Sequence, residues 1–144
     1  MKIKVTSWLK VAIGFQFLTA AIHSLTFLRS PQGRNEAEKQ MLDLMYHYKM
    51  DMGAGFHRSM GQLFTSVSAC FTGIFLLGAL INLYLVRVQT PPYLLKGVVG
   101  IQALVFGGVF LIAIFFAFLP PATCAGLVFL FLTISYFRLA PAEG

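Results

Sequence analysis

Four long apolar runs constrain this chain more than any other feature. They cover about residues 8–28, 59–86, 97–119 and 122–137. A helix that crosses the hydrocarbon core of a bilayer needs about 20 mostly apolar residues, and the runs approach or exceed that length. None of them alternates apolar and polar residues as the strands of an outer-membrane barrel do. We therefore predict an all-α integral membrane protein, a four-helix bundle in one domain that covers residues 1–144.

The overall composition agrees with a membrane environment. Of the 144 residues, 58% are hydrophobic and only 11% are charged, whereas about a quarter are charged in a soluble domain. The net charge of +6 would suggest nucleic acid as the partner of a soluble protein. Here much of that charge borders the apolar runs, where membrane topology and anionic lipid headgroups explain it. We predict contact with the lipid bilayer and no nucleic-acid binding.

Lysine and arginine residues flank the apolar runs unevenly. One side of the predicted bundle carries Lys2, Lys4, Lys10, Arg87, Lys96 and Arg138. The cations of the other side are mixed with acidic residues, so the positive-inside rule favours both termini in the cytoplasm. We predict a multi-pass protein of the inner (cytoplasmic) membrane. The basic start, with Thr19 and Ala21 as small residues, would also suit a signal peptide. The apolar run continues to Leu28, which favours an uncleaved first span.

The connection between the first two runs predicts an amphipathic helix over about residues 35–52. Asn35 precedes Glu38 by three residues, which is close to a capping box. Apolar residues then recur at spacings of three and four: Ala37, Met41, Leu44, Met45, Tyr48 and Met52. Such a helix between membrane spans is expected to lie along the interface or to cap the bundle. The "GAG" at 53–55 would end it.

A polar layer between the first two spans is the candidate site. A helical face of the first span carries Gln16, Ala20, His23 and Phe27. A face of the second span carries Arg58, Ser59, Gln62, Thr65, Ser66, Ala69 and Gly73. Both faces should turn into the bundle, because polar groups that face lipid lack partners. We therefore predict a layer of His23, Gln62 and Ser66, with His57 and Arg58 just above it.

Two interpretations of this layer remain open. In one, His23 bonds to Gln62, Ser66 or a backbone carbonyl and fixes the register of two spans. In the other, the layer lines a pocket for a small lipophilic ligand, where the histidine acts as acid, base or hydrogen-bond donor. Gln62 and Ser66 would then orient the ligand and Arg58 would attract an anionic headgroup.

Haem or copper binding is a third possibility. It would use His23 with His47 or His57, or a set of thioethers: Met41, Met45, Met50, Met52 and Met60. The spacing of these residues is not specific to a metal, and the methionines already suit an apolar helix face. Cys70 and Cys124 are expected to be small packing residues. No nucleophile triad or phosphate-binding glycine loop is present in the sequence, which disfavours an enzyme.

The third span contains a seam of small residues, Gly100, Ala103 and Gly107. Small residues let helices approach closely in a membrane. The partner of the seam could be the fourth span, the second span or another polypeptide, including a second copy. The leading functional hypothesis is therefore a non-enzymatic accessory subunit that binds a membrane partner through this seam.

Two motifs, "AIHSLTFL" and "MGAGFHRSMGQLF", resemble a family of small uncharacterised bacterial four-span membrane proteins, typified by a leptospiral hypothetical protein. The residues that carry the resemblance lie in the first half of the chain: His23, Thr26, Phe27, Gly55, Phe56 and Ser59. The resemblance implies a bacterial four-span membrane protein and draws attention to His23. The family carries no established activity, so the resemblance supplies no substrate.

Overall fold

The computed structural model describes residues 7–28 and 31–139, and these residues are mainly helical. Helix α1 covers Ser7–Ser24 and continues as a 3-10 turn over Leu25–Leu28. The remaining elements are α2 (Glu36–His47), β1 (Lys49–Asp51), β2 (His57–Ser59), α3 (Met60–Arg87), α4 (Pro92–Phe116) and α5 (Leu119–Arg138). Four helices, namely α1 with its 3-10 turn, α3, α4 and α5, are long and apolar enough to cross a membrane.

The predicted all-α fold is confirmed, and the chain has the features of a multi-pass membrane protein. Two of its helices begin earlier than predicted. Helix α4 begins at Pro92 and α5 begins at Leu119, directly before two prolines. A proline in the first turn of a helix loses no hydrogen bond, because the first N–H groups have no partner within the helix. These prolines therefore start helices. Lys2 and Lys4 lie outside the described residues.

The amphipathic segment was predicted correctly at its start and wrongly at its end. The Asn35 side chain accepts a hydrogen bond from the Glu38 N–H at 2.9 Å, and the Glu38 carboxylate accepts one from the Arg34 N–H at 2.6 Å. The helix, however, ends at His47 and not near residue 52. The chain then forms an antiparallel hairpin in which Lys49 pairs with Ser59.

Three consecutive left-handed residues produce this hairpin. Gly53, Ala54 and Gly55 have φ angles of +82°, +51° and +79°. Glycine adopts positive φ without steric cost, so two of the three positions suit the turn. The Met52 N–H donates to the Phe56 carbonyl at 2.8 Å and closes the loop. The sequence that was expected to end a helix therefore reverses the chain and leads it into α3.

The described residues form two compact units. The helical unit contains the described residues up to Ala20 and from Phe75 onward, and the hairpin unit is Ala21–Ile74. Aromatic rings join the helices of the helical unit: the Phe131 ring stacks on Trp8 and Phe15 at 5.8 and 5.2 Å between centroids. Phe75 meets Phe106 edge to face at 4.9 Å.

Helices α4 and α5 form an antiparallel hairpin in which glycines face aromatic rings. A Cβ at Gly100 would lie 2.9 Å from the Tyr136 ring, and one at Gly107 would lie 3.0 Å from the Phe129 ring. The arrangement is reversed in a third pair, where Gly126 of α5 faces Phe110 of α4. All three pairs are symmetric about residue 118, where the chain turns. The seam of the third span therefore packs against α5.

Candidate functional site

Three amide side chains meet inside the helical unit. Gln16 of α1, Asn82 of α3 and Gln102 of α4 are only 0%, 0% and 9% exposed. We call this set the amide cluster. It connects three membrane spans whose cluster residues are up to 86 positions apart in the sequence. No other buried group in the described residues joins so many helices by side-chain hydrogen bonds.

Four hydrogen bonds hold the amide cluster together. Asn82 and Gln102 form a reciprocal pair, with Nδ2 to Oε1 at 2.8 Å and Nε2 to Oδ1 at 3.1 Å. Asn82 Nδ2 also donates to Gln16 Oε1 at 3.2 Å, and Gln16 Nε2 donates to Gln102 Oε1 at 3.1 Å. Each amide is both a donor and an acceptor, so no polar oxygen of the cluster is left unpaired in the apolar interior.

A glycine makes room for this cluster. A Cβ at Gly78 would lie 2.6 Å from Gln16 Nε2 and 3.2 Å from Gln102 Oε1. Gly78 precedes Asn82 by four residues, so the two lie on the same side of α3. Amides carry no charge and do not act as acids or bases near neutral pH. The cluster is therefore suited to fixing the register of three helices.

Sequence reasoning found one member of the cluster and missed its partners. It placed Gln16 on the His23 face of the first span, but it did not consider Asn82 or Gln102. A usable signal was present, since these residues and Gln62 are the glutamines and asparagines within the predicted spans. Polar residues within spans are expected to find one another. What the sequence does not show is which of them share a depth and a face.

His23 lies in the hairpin unit, among aromatic rings. Its ring meets Phe71 at 5.0 Å and Phe27 at 6.0 Å between centroids, both edge to face. The imidazole also lies close to the backbone of Ser68 in α3. The Nε2 atom is buried and has no hydrogen-bond partner among the described residues. The histidine therefore contacts α3, as its place in a membrane span requires, and one of its nitrogens has no partner in the described part of the chain.

Gln62 caps the start of α3. Its Oε1 accepts a hydrogen bond from the Ser59 N–H at 3.1 Å, and Ser59 Oγ accepts one from the Gln62 N–H at 3.3 Å. This reciprocal arrangement is a capping box, formed here by serine and glutamine three residues apart. Ser59 is buried. The amide oxygen that was expected to serve the His23 layer thus holds the first turn of α3.

His57 and Arg58 belong to β2 and are exposed. His57 is paired with Asp51 across the hairpin. The Arg58 guanidinium lies 5.7 Å from the centre of the Phe56 ring, and its Nη1 donates to the His57 carbonyl at 3.1 Å. These contacts hold both residues in the hairpin, just before the first turn of α3.

One face of α3 was predicted to turn into the bundle, and this prediction is wrong for three of its small residues. Ser66, Ala69 and Gly73 are all exposed. A Cβ at Gly73 would meet no atom within 4 Å. The face is therefore open in the described part of the chain. We call these three residues the small-residue face.

The described residues contain no group of three or more histidine, cysteine or acidic side chains that could hold a metal ion. Asp43 and His47 lie 2.9 Å apart on the exposed side of α2. Cys70 and Cys124 are free thiols.

Comparison with known proteins adds no relative: no family model, curated protein or solved structure matches the chain. The resemblance to small bacterial four-span proteins therefore stays a prediction.

Proposed function

We propose that this protein is a non-enzymatic accessory subunit that binds a partner within the membrane through the small-residue face of α3. One observation carries the proposal: Ser66, Ala69 and Gly73 are exposed on one side of a helix that is apolar enough to span the membrane. The seam of α4 offers no such surface, because the rings of Tyr136 and Phe129 cover its glycines.

The physics of helix association in lipid favours this face. Lipid tails are as apolar as leucine, so helices do not associate there by the hydrophobic effect. They associate where small residues allow close approach and where hydroxyl groups can bond across the contact. Ser66 supplies a hydroxyl, and Gly73 supplies an open backbone within about two turns of it. A helix of a membrane partner, or of a second copy, fits this combination.

The proposal includes an orientation with both termini in the cytoplasm of a bacterial inner membrane. In the helical unit, the described cations are Lys10, Arg87, Lys96 and Arg138. They lie within two turns of the start of α1, the end of α3, the start of α4 and the end of α5, which are at the same end of this unit. The described residues of this unit include no acidic side chain. Positive charge of this kind favours the cytoplasmic side.

Replacing Gly73 with leucine is expected to disrupt the association while the fold is retained. The leucine side chain meets open space in the isolated chain but would collide with a closely packed partner helix, at a cost of about 1–3 kcal/mol. Such a cost weakens association by roughly 5- to 150-fold. The measurement is photo-crosslinking in native membranes from a benzophenone attached to Cys70, in a Cys124→Ala background.

Two controls make this result specific. Gly108→Leu introduces the same side chain at an exposed glycine of α4 that also has no atom within 4 Å, and it should leave the crosslinked product unchanged. A benzophenone at Leu104→Cys, on the lipid-exposed side of α4, should give no product of the same mass. A Gly73→Leu variant that crosslinks as efficiently as the parent protein would refute the association surface.

A second candidate function is a membrane-embedded site for a small lipophilic ligand at His23. The observation that favours it is the buried Nε2 atom, which has no partner in the described residues. A ligand hydroxyl or carbonyl at this point would complete the hydrogen bonding of the ring, and Phe27 and Phe71 would contact its apolar part. Arg58 lies at the hairpin, where it would attract an anionic headgroup.

Replacing His23 with phenylalanine separates this function from a structural role. Phenylalanine keeps an aromatic ring against Phe27 and Phe71 and removes both ring nitrogens. If a ligand bonds to Nε2, native mass spectrometry of protein extracted in mild detergent will show a bound small molecule, and His23→Phe will reduce its occupancy several-fold. His47→Phe, which changes an exposed histidine of α2, should not. Equal occupancy in both variants would contradict the ligand site.

A further inference from the structure

Helix α2 presents three different sides, and one of them has no covering in the chain. The first side contacts protein. The Tyr46 ring packs against Gly61, where a Cβ would lie only 2.5 Å from Tyr46 Cδ1. Leu42 and Met45 are half-buried. The second side is charged. It carries the Lys39–Glu36 ion pair at 2.6 Å and the His47–Asp43 pair at 2.9 Å.

The third side is an exposed apolar strip. Met41 and Leu44 are 57% and 64% exposed, and Tyr48, directly after the helix, is 64% exposed. At 100° per residue, these three positions fall within about 60° of one another. The centres of the charged side and of the protein-contacting side each lie about a third of a turn from the centre of the strip. No residue of α2 is buried, so the strip is not part of a protein core.

The hairpin adds exposed apolar side chains to this segment. Met52 and Phe56 flank the turn and are exposed. The Arg58 guanidinium over the Phe56 ring places a cation beside this apolar surface, which is the arrangement of a side chain at the boundary between lipid tails and headgroups. In the sequence, the segment lies between two helices that are apolar enough to span a membrane. The helix before it, α1 with its 3-10 turn, ends at Leu28, and β2 leads directly into α3 at Met60.

We propose that α2 lies flat in the membrane interface, with the strip of Met41, Leu44 and Tyr48 inserted among the acyl chains. The partner of this surface is lipid, because the segment is tied to two membrane spans and its charged side is turned away from the strip. The charged pairs then face water, and Tyr46 rests on the start of α3. Helix α2 thus binds the membrane as a monotopic amphipathic helix does, although it belongs to a multi-pass protein.

Spin-label accessibility tests this placement. Single cysteines replace Leu44, Met41 or Asp43 in a Cys70→Ala, Cys124→Ala background, and the labelled proteins are reconstituted in liposomes of phosphatidylethanolamine and phosphatidylglycerol. Oxygen concentrates in the lipid tails and a nickel chelate stays in water, so the ratio of their collision rates reports depth. We expect this ratio to be several-fold higher at positions 41 and 44 than at position 43.

Two outcomes would overturn the proposal. If the nickel chelate reaches positions 44 and 43 equally, the strip faces water. If neither reagent reaches position 44, protein covers the strip and the partner is not lipid. The labelled positions are exposed, so the variants should fold, and a far-ultraviolet circular dichroism spectrum identical to that of the parent verifies this. The result does not depend on the small-residue face, because that face is on a different helix.

Discussion

Replacing Gly107 with leucine is expected to lower the free energy of unfolding by about 1–3 kcal/mol relative to Gly108→Leu. A Cβ at position 107 would already lie 3.0 Å from the Phe129 ring, and leucine adds three more carbon atoms. The Phe129 ring is stacked with Phe110 at 6.2 Å between centroids, so it cannot move aside without breaking a second contact. Reversible unfolding in mixed detergent micelles measures the difference.

The neighbouring glycine provides the matched control. Gly108 is exposed, and a Cβ at this position would meet no atom within 4 Å. Both substitutions replace glycine within a helix and gain up to about 1 kcal/mol of helix propensity, so their difference isolates the packing against α5. A second test is Gly107→Leu with Phe129→Ala, which should recover part of the lost stability. Equal stability of the Gly107→Leu and Gly108→Leu variants would contradict the α4–α5 packing.

Asn82→Leu is expected to destabilise the protein by roughly 2 kcal/mol. Asn82 takes part in three of the four hydrogen bonds of the amide cluster. Interhelical hydrogen bonds in membrane proteins average about 0.6 kcal/mol each, and the substitution also leaves oxygen atoms of Gln16 and Gln102 with fewer donors. Leucine is close to asparagine in size, so the loss does not come from a large cavity. The free energy of unfolding in mixed micelles checks the value.

Removing the whole cluster should cost less than removing one member. In the triple variant Gln16→Met, Asn82→Leu, Gln102→Met, no polar side chain of the cluster remains unpaired. We expect its stability to exceed that of Asn82→Leu alone. If the triple variant is less stable than Asn82→Leu by the sum of three independent losses, the three amides do not act as one hydrogen-bonded unit.

The spans could be predicted from the sequence because lipid imposes a simple length requirement. A run of about twenty apolar residues with few charges predicts a membrane span in almost any sequence context. The segment between the first two spans could not be predicted as well. Its apolar spacing continues to Met52 and favours a helix, but the left-handed residues at 53–55 bring Lys49 and Ser59 together. Pairing of strands over a turn then outweighs the local periodicity.

The candidate site was harder to predict, because it depends on which spans are neighbours and at what depth. Gln16 and His23 lie on one face of α1, yet Gln16 bonds to α3 and α4 while His23 contacts Phe71. The helical periodicity placed Gln62 beside His23, whereas its amide bonds to Ser59 at the start of α3. A capping box could have been recognised from the "SMGQ" motif. The glycine seam of α4 was visible in the sequence, but its partner required the register of the α4–α5 hairpin.

The central claim is that two surfaces of small residues have different roles: the seam of α4 packs against α5 within the chain, and the small-residue face of α3 binds a partner. The most direct test is the yield of the Cys70 crosslink per folded protein, compared between Gly73→Leu and Gly107→Leu. We predict that Gly73→Leu loses the crosslinked product at unchanged stability, whereas the folded fraction of Gly107→Leu retains it. Loss of the product from folded Gly107→Leu, with the product retained in Gly73→Leu, would contradict the account.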